Sequence, residues 1–285
     1  MRIEQKGKND KVFFVTFAAV IMLPTVILNS AYWGQCDSIY TTFIILTLLY
    51  LYREKYHRAF MFLGIAFAFK MQTIFIFPFI ICFYIYKKQF SIFELLITVF
   101  TFWISGIGAF VQGRSLLDPF RIYANQTGTY QYMHVNFPSF WMFVGNDYEW
   151  LKTAAIVMAA GICGMGLYII MKRKLDCSRP ENFVSIASWF IWTCVLFLPA
   201  MHERYAYPLE ILLVILTCIN KDYLKYSSVA ILFSLFTYGN YLFSNGGLDK
   251  YIVIIYAGCY LHFTYTILKK NSKAATVTDK EMQNE

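Results

Sequence analysis

Long apolar runs constrain this 285-residue chain more than any other feature of its sequence. A helix needs roughly 20 apolar residues to cross the hydrocarbon of a bilayer. Lipid offers the backbone no hydrogen-bond partners, so runs of this kind have to be helical. Eight runs approach that length: residues 12–29, 38–52, 92–111, 154–171, 183–201, 205–219, 227–243 and 251–268. The pattern predicts an all-α, polytopic membrane bundle with about eight full spans.

The composition agrees with this class and argues against several others. Hydrophobic residues make up 58% of the chain and charged residues 15%, whereas soluble domains carry about 25% charged residues. The seven cysteines have no paired spacing and lie mostly in apolar runs, so we predict no disulfide framework, metal site or cofactor. The net charge of +8 does not indicate nucleic-acid binding, because no basic face alternates with exposed aromatic residues.

Basic residues indicate which side of the membrane each loop occupies, because short loops rich in Lys and Arg stay cytoplasmic. They cluster at residues 2–11, 53–58, 87–88, 172–179, 221–225 and 269–280. One topology places all six clusters inside together with both termini. It divides the chain into a cytoplasmic N-terminus at 1–11, a transmembrane helical domain at 12–268 and a disordered cytoplasmic tail at 269–285.

The apolar segment at residues 60–86 has basic residues near both ends and is interrupted at Lys70-Met71-Gln72. It must therefore enter and leave on the cytoplasmic side, although its 27 residues are too few for two crossings. We predict two short or re-entrant helices with Lys70 near the bend. The alternative is one long tilted span that places Lys87 and Lys88 outside.

Lys70 is a functional candidate because a lysine inside an apolar segment costs about 2.5–3.5 kcal/mol on insertion scales. A buried ion pair or a bound phosphate would offset that cost, and snorkelling toward the interface is the alternative. In the predicted topology Lys70 and Gln72 belong to the outer half of the membrane. Gln35 and Asp37 face the same side, where they line a polar cleft, unless Asp37 only caps the following helix.

Two further outer stretches contain residues suited to binding. His202-Glu203-Arg204 is the densest ionisable cluster near a membrane boundary, and arginine offers a planar fork for a phosphate or carboxylate. An ordinary interfacial loop is the alternative. The external segment at residues 112–150 is too long for a simple connection, and its aromatic, amide and carboxylate side chains suit sugar recognition or, alternatively, a surface helix.

Four motifs in these stretches resemble those of a known family. They are Trp33-Gly34-Gln35-Cys36-Asp37-Ser38, Lys70-Met71-Gln72 followed by Pro78, residues 132–145 with Asn136 and Trp141, and Met201-His202-Glu203-Arg204-Tyr205 followed by Pro208. They are similar, in the same order, to motifs of GT-C superfamily membrane glycosyltransferases, in particular bacterial relatives of the second GPI mannosyltransferase. The resemblance covers about residues 22–210.

The resemblance implies transfer of a hexosyl or mannosyl group from a polyprenyl-phosphate sugar to a lipid or glycan acceptor. The reaction would occur on the outer face of a bacterial plasma membrane, without a cofactor. Arg204, with His202 or Lys70, would hold the donor phosphate. The remaining candidates would shape the sugar or acceptor pocket: Gln35, Asp37, Gln72, Asn136, Trp141 and Glu203.

The chain departs from the family in one respect, because only 32 residues precede Trp33. Family members carry earlier spans and an acidic first external loop, so their catalytic base has no match in this sequence. A truncated or split form with a separate N-terminal fragment as partner fits this departure. The competing function is a transporter or flippase for a lipid-linked or anionic solute, because an intramembrane lysine at a helix break is also typical of transporters.

Overall fold

The computed structural model describes residues 13–126, 129–243 and 250–282, and this part of the chain is almost entirely helical. The helices are α1 Phe13–Ile21, α2 Pro24–Tyr32, α3 Asp37–Tyr52, α4 Tyr56–Phe69, α5 Phe77–Lys87, α6 Glu94–Ile104, α7 Ile107–Val111, α8 Asp118–Gln126, α9 Tyr148–Lys172, α10 Pro180–Phe197, α11 Tyr207–Ile219, α12 Leu224–Phe243 and α13 Lys250–Met282. Short 3-10 helices cover Met71–Ile76, Phe140–Phe143 and Lys221–Tyr223. The prediction of an all-α protein is confirmed.

Helix α10 lies at the centre of the bundle. Of its 18 residues, 14 are buried, as expected for a helix that is apolar on every side. A proline at its first position starts the helix without leaving a backbone donor unpaired. It packs against α5, α9, α11 and α13, so these helices surround a common core.

Two helices in the described part of the chain are long and apolar enough to cross a membrane. They are α9 and the Lys250–Lys270 portion of α13, and most of their apolar residues face outward. Helices α1 and α2 are bent by 50° at a short break and together could form a third span. The remaining apolar helices are shorter, so the predicted number of eight full spans stays a prediction.

The predicted span at residues 92–111 differs most from its expected form. The structure ends α6 at Ile104 and starts α7 at Ile107, with Ser105 and Gly106 between them. Ser105 Oγ donates to the Thr101 carbonyl oxygen at 2.7 Å, and such a bond bends a helix. The sequence run is therefore two helices rather than one.

The predicted break at Lys70 is present. Lys70 has an extended backbone, with φ −159° and ψ 132°, between α4 and the 3-10 helix that leads into α5. The other ends of α4 and α5 meet at Phe90, whose ring lies 5.1 Å from that of Tyr56, 5.2 Å from Phe60 and 5.2 Å from Tyr84. The segment thus returns to the end where it began, and a single long helix is excluded.

Five of the six basic clusters gather at one end of the bundle, which we call the basic end: residues 53–58, 87–88, 172–179, 221–225 and 269–270. Tyr52 donates to the Ser178 carbonyl oxygen at 2.6 Å. Lys270 Nζ lies 2.9 Å from a Glu181 carboxylate oxygen and 3.0 Å from one of Asp222. The sixth cluster, at residues 2–11, lies outside the described residues.

Helix α13 continues through the start of the predicted tail to Met282, and the predicted disorder of residues 269–285 stays a prediction. The tail contains several strong helix formers, among them Lys, Ala and Glu, and extending an existing helix avoids the cost of a new nucleus. Residues 244–249 and 283–285 lie outside the described part.

The external segment is tied to the end of the bundle opposite the basic residues. It contains α8, strand β1 at His134–Val135 and the 3-10 helix Phe140–Phe143. Strand β1 pairs in parallel with β2, Met201–His202, through His134 opposite Met201 and Val135 opposite His202. Tyr123 also donates to the Phe67 carbonyl oxygen near the end of α4. These contacts place the external segment beside Lys70 and His202.

Candidate functional site

An ion pair with a fully buried carboxylate joins α3 to the break after α4. Lys70 Nζ donates to Asp37 Oδ1, and Asn29 Nδ2 donates to Asp37 Oδ2 at 2.8 Å. Cys36, rather than Asp37, occupies the helix N-cap position, so the alternative that Asp37 only caps α3 is wrong. Both carboxylate oxygens have partners, as a buried charge requires.

Local backbone geometry explains how Asn29 reaches Asp37. The second part of α2, Ile27–Tyr32, winds as a π-helix, a form that is frequent at functional sites. Gly34 then adopts φ +70°, which glycine reaches without steric cost. The backbone N–H of Gln35 donates to the Asn29 carbonyl oxygen at 2.9 Å. This turn folds the start of α3 back onto α2.

Lys70 does not snorkel toward water. Its side chain is only 12% exposed, and its ammonium nitrogen lies 5.4 Å from the ring centre of Tyr40 as well as against Asp37. An aromatic face and a carboxylate both attract the ammonium group. The structure therefore supports the interpretation of Lys70 as a paired, internal cation.

A second buried ion pair lies between α10 and α11. Glu203 is fully buried, and its Oε1 accepts a hydrogen bond from Arg204 Nη1 at 2.7 Å. His202 Nδ1 lies 3.7 Å from the other carboxylate oxygen. Thr237 of α12 donates to the Glu203 carbonyl oxygen at 3.2 Å. Three consecutive ionisable residues are thus fixed by the neighbouring helix and by the pairing of β2 with β1.

The two ion pairs belong to one site. The Arg204 guanidinium carbon lies 5.3 Å from the Trp33 ring centre and 5.8 Å from that of Tyr205. Tyr205 and Gln72 line the same cleft. We call the combined group the polar cluster: Asn29, Trp33, Asp37, Lys70, Gln72, His202, Glu203 and Arg204. Sequence segments that lie far apart converge here, as the topology predicts.

Two nitrogen atoms of the polar cluster are buried and lack a hydrogen-bond partner among the described residues. They are His202 Nε2 and Arg204 Nε. A buried polar atom left unsatisfied costs about 1–3 kcal/mol, so such atoms normally bind water or a ligand. Nearby in β1, burial lowers the pKa of His134, which favours its neutral form. Two oxygen atoms of the cluster, Asn29 Oδ1 and Glu203 Oε2, also lack a partner among the described residues. The cluster therefore offers a guanidinium donor and several further polar atoms to a ligand.

Asp37 and Glu203 are both predicted to bind substrate. In the structure both are fully buried and paired with a cation, and their substrate-binding roles stay predictions. A carboxylate in this position can orient Lys70 or Arg204 without reaching a ligand. We therefore treat the two acids as positioning residues.

Trp141 lies in the external segment, and its predicted role in substrate binding stays a prediction. Its side chain is 4% exposed, and its indole N–H donates to the Phe197 carbonyl oxygen at 2.7 Å. It packs with Met133 and Ala155, so it supports the external segment and does not line the polar cluster. Gln35 is partly exposed in the turn before α3. Asn136 has φ 48°, a left-handed conformation that asparagine tolerates and that identifies it as a turn residue.

Sequence reasoning missed Glu210. This residue lies in the apolar run at 205–219, is fully buried in α11 and accepts a hydrogen bond from Thr25 Oγ1 of α2. A carboxylate inside an apolar run is itself the signal that could have identified it. Tyr238, which Asn29 contacts with a 3.4 Å N–O distance, gave no comparable signal because tyrosines are frequent along the chain.

The described residues contain no group of three or more His, Cys, Asp or Glu side chains that could hold a metal ion. No family model, curated protein or solved structure matches this chain. Any functional assignment therefore depends on the four motifs and on the geometry of the polar cluster.

Proposed function

We propose that the protein is a multi-pass membrane glycosyltransferase that transfers a hexosyl or mannosyl group from a polyprenyl-phosphate sugar on the extracytoplasmic face. The single observation that carries this proposal is the polar cluster. All of its residues except Asn29 come from the motifs that resemble GT-C glycosyltransferases, and they meet at the end opposite the basic residues. Apolar outer faces such as that of α9 would contact the lipid carrier.

Arg204 and Lys70 would hold the donor phosphate. Arg204 uses Nη1 on Glu203 and keeps Nε unpaired, while Lys70 contacts Asp37 through one of its donors. Guanidinium and ammonium groups bind phosphate oxygens through charge-assisted hydrogen bonds. As the bond from the sugar to the phosphate breaks, negative charge grows on the leaving phosphate, and prearranged cations stabilise it.

The catalytic base is not assigned to Asp37 or Glu203. A base has to reach the acceptor hydroxyl within hydrogen-bond distance, whereas both acids are buried and already paired. Their contribution would be to hold Lys70 and Arg204 in one orientation before the donor arrives.

Transfer from labelled polyprenyl-phosphate hexoses in membranes containing the protein tests the proposal. We expect a labelled product that membranes without the protein do not form. Arg204→Gln should reduce its formation about 100-fold or more, the usual effect of losing one stabilising donor in a transition state. Arg58→Gln is the matched control, because Arg58 is exposed at the basic end. Identical products with and without the protein, also on co-expression with an upstream-encoded fragment, would contradict the proposal.

The proposed topology has its own test. In a variant whose seven native cysteines are replaced by alanine, single cysteines introduced by Gln35→Cys and Tyr132→Cys should react with an impermeant thiol reagent added outside intact cells. A cysteine introduced by Lys174→Cys at the basic end should react only after permeabilisation. Labelling of the first two positions from opposite sides would disprove the prediction that Gln35 and the external segment lie on the same outer face of the membrane.

A transporter or flippase is the second candidate, favoured by the helix break at Lys70. Broken helices that carry a buried charge form the binding sites of many transporters. Uptake of a lipid-linked or anionic solute into sealed vesicles, abolished by Lys70→Met without sugar transfer by either form, would favour this function.

A further inference from the structure

A cleft of about 260 Å³ adjoins the polar cluster between the 3-10 helix after Lys70 and the external segment. Its polar lining comes from two glutamine and three tyrosine side chains: Gln72, Gln126, Tyr130, Tyr148 and Tyr205. The other lining residues are apolar, and none of the lining residues carries a charge. A ligand that fits this cleft is therefore neutral, with both hydroxyl-type polar groups and apolar faces.

The cleft connects with the polar cluster through His202. The ring of Tyr130 lies 4.4 Å from the His202 ring in an edge-to-face arrangement, and that of Tyr205 lies 5.0 Å away. His202 is 6% exposed, and its Nε2 has no hydrogen-bond partner among the described residues. A ligand in the cleft would thus lie against the group that contains Glu203 and Arg204.

A second, larger cleft differs from this one because charged side chains line it. It has a volume of about 620 Å³ between α6, α7 and α8, and its lining includes Arg114, Asp118 and Arg121. Charged side chains of both signs suit a polar head group rather than an uncharged ring. The smaller cleft, which lies beside the polar cluster, has tyrosine and glutamine side chains as its polar lining and no charged residue.

We propose that the smaller cleft binds one neutral hexopyranose unit. Aromatic rings cover the apolar C–H faces of a pyranose, and glutamine amides can donate to and accept from its hydroxyl groups. The volume is just below the range of about 300–1,000 Å³ typical of ligand pockets, which suits one ring rather than an oligosaccharide. The assignment of this ring as the transferred or accepting sugar rests on the proposed function, whereas the binding itself does not.

Saturation-transfer NMR on the purified full-length protein in lipid nanodiscs tests the site, with methyl mannopyranoside and methyl glucopyranoside as probes. We expect transfer from the protein to the ring protons of at least one probe. Tyr130→Ala should reduce the signal at least fivefold, and Tyr130→Phe, which keeps the ring, should retain it. Tyr132→Ala is the matched control, because Tyr132 is 55% exposed and does not line the cleft.

The outcomes separate this proposal from the proposed function. Folded wild-type protein that transfers sugar but gives no saturation of either probe would overturn the cleft assignment alone. An equal loss of signal in Tyr130→Ala and Tyr132→Ala would overturn it as well. Binding that depends on Tyr130 in a protein that transfers no sugar would support the site and contradict the function.

Discussion

The two ends of the bundle both contain ion pairs, but only one end buries them. At the basic end Lys270 is 29% exposed and contacts Glu181 and Asp222, while His57, beside Glu94, is 82% exposed. At the opposite end Asp37 and Glu203 are fully buried. Each surface pair contributes about 0–1 kcal/mol to the unfolding free energy. Removing one partner of a buried pair lowers the unfolding free energy by much more, because the other charge stays buried and unpaired. The basic end is therefore suited to orienting the chain, and the polar cluster to holding cations in a fixed geometry.

The largest expected effect comes from breaking the pair between Asp37 and Lys70. Asp37→Asn leaves the Lys70 ammonium buried without an anion, which should destabilise the fold by about 3–5 kcal/mol. A denaturant titration in mixed micelles, followed by the reaction of a thiol dye with buried Cys82, Cys177 and Cys194, would measure the change.

The double variant Asp37→Asn, Lys70→Met is the control for this prediction. It removes both charges, so it should recover most of the stability lost in the single variant. If the unfolding free energy of Asp37→Asn lies within about 1 kcal/mol of the wild-type value, water reaches Lys70 and the pair is not a buried one.

Trp141 lies at the same end of the bundle as the polar cluster, and its substitution tests whether it stabilises the fold or binds the ligand. Trp141→Phe removes the indole donor and leaves the Phe197 carbonyl oxygen unpaired, so we expect a loss of about 1–3 kcal/mol in unfolding free energy. Hexoside binding by the folded fraction should stay unchanged. Trp150→Phe, at an 84% exposed position, should change neither measurement. Weaker binding by folded Trp141→Phe protein would restore Trp141 as a ligand contact.

Glu210 can be compared directly with Asp37, because it is a buried carboxyl group without a cation at salt-bridge distance among the described residues. An isolated buried charge is costly, and an amide oxygen can accept the same hydrogen bond from Thr25 Oγ1. Glu210→Gln therefore keeps the shape and the acceptor without burying a charge, and we expect it to change the unfolding free energy by about 1 kcal/mol or less. The same acid-to-amide change at Asp37 should have several times that effect. Equal effects at both positions would mean that Glu210 is ionised.

The convergence of Trp33, Lys70, His202 and Arg204 was predictable from the sequence. The distribution of Lys and Arg along the chain determines which loops share a side, and the topology then brings the motifs together. The break at Lys70 was predictable for a related reason, because a charged residue interrupts an apolar run that is too short to cross twice.

The partners of individual side chains were not predictable in this way. The pairing of Asp37 with Lys70 and Asn29 depends on the rotation of α2, α3 and α4 about their axes, which core packing decides. The π-helical turn that presents Asn29 has no sequence signal of its own. Trp141 resembles a sugar-stacking residue in sequence, and only the carbonyl oxygen at the end of α10 shows that its polar atom is already used.

The smallest expected effect belongs to the basic end. Lys270→Ala removes contacts with Glu181 and Asp222 that are partly exposed, so the unfolding free energy should fall by about 0–1 kcal/mol. Because salt screens exposed charges, raising the ionic strength should reduce even this difference, whereas the effect of Asp37→Asn should persist in high salt. Unfolding titrations of both variants at two salt concentrations measure the contrast. A salt-independent loss of several kcal/mol for Lys270→Ala would show that the two ends do not differ in the way their burial indicates.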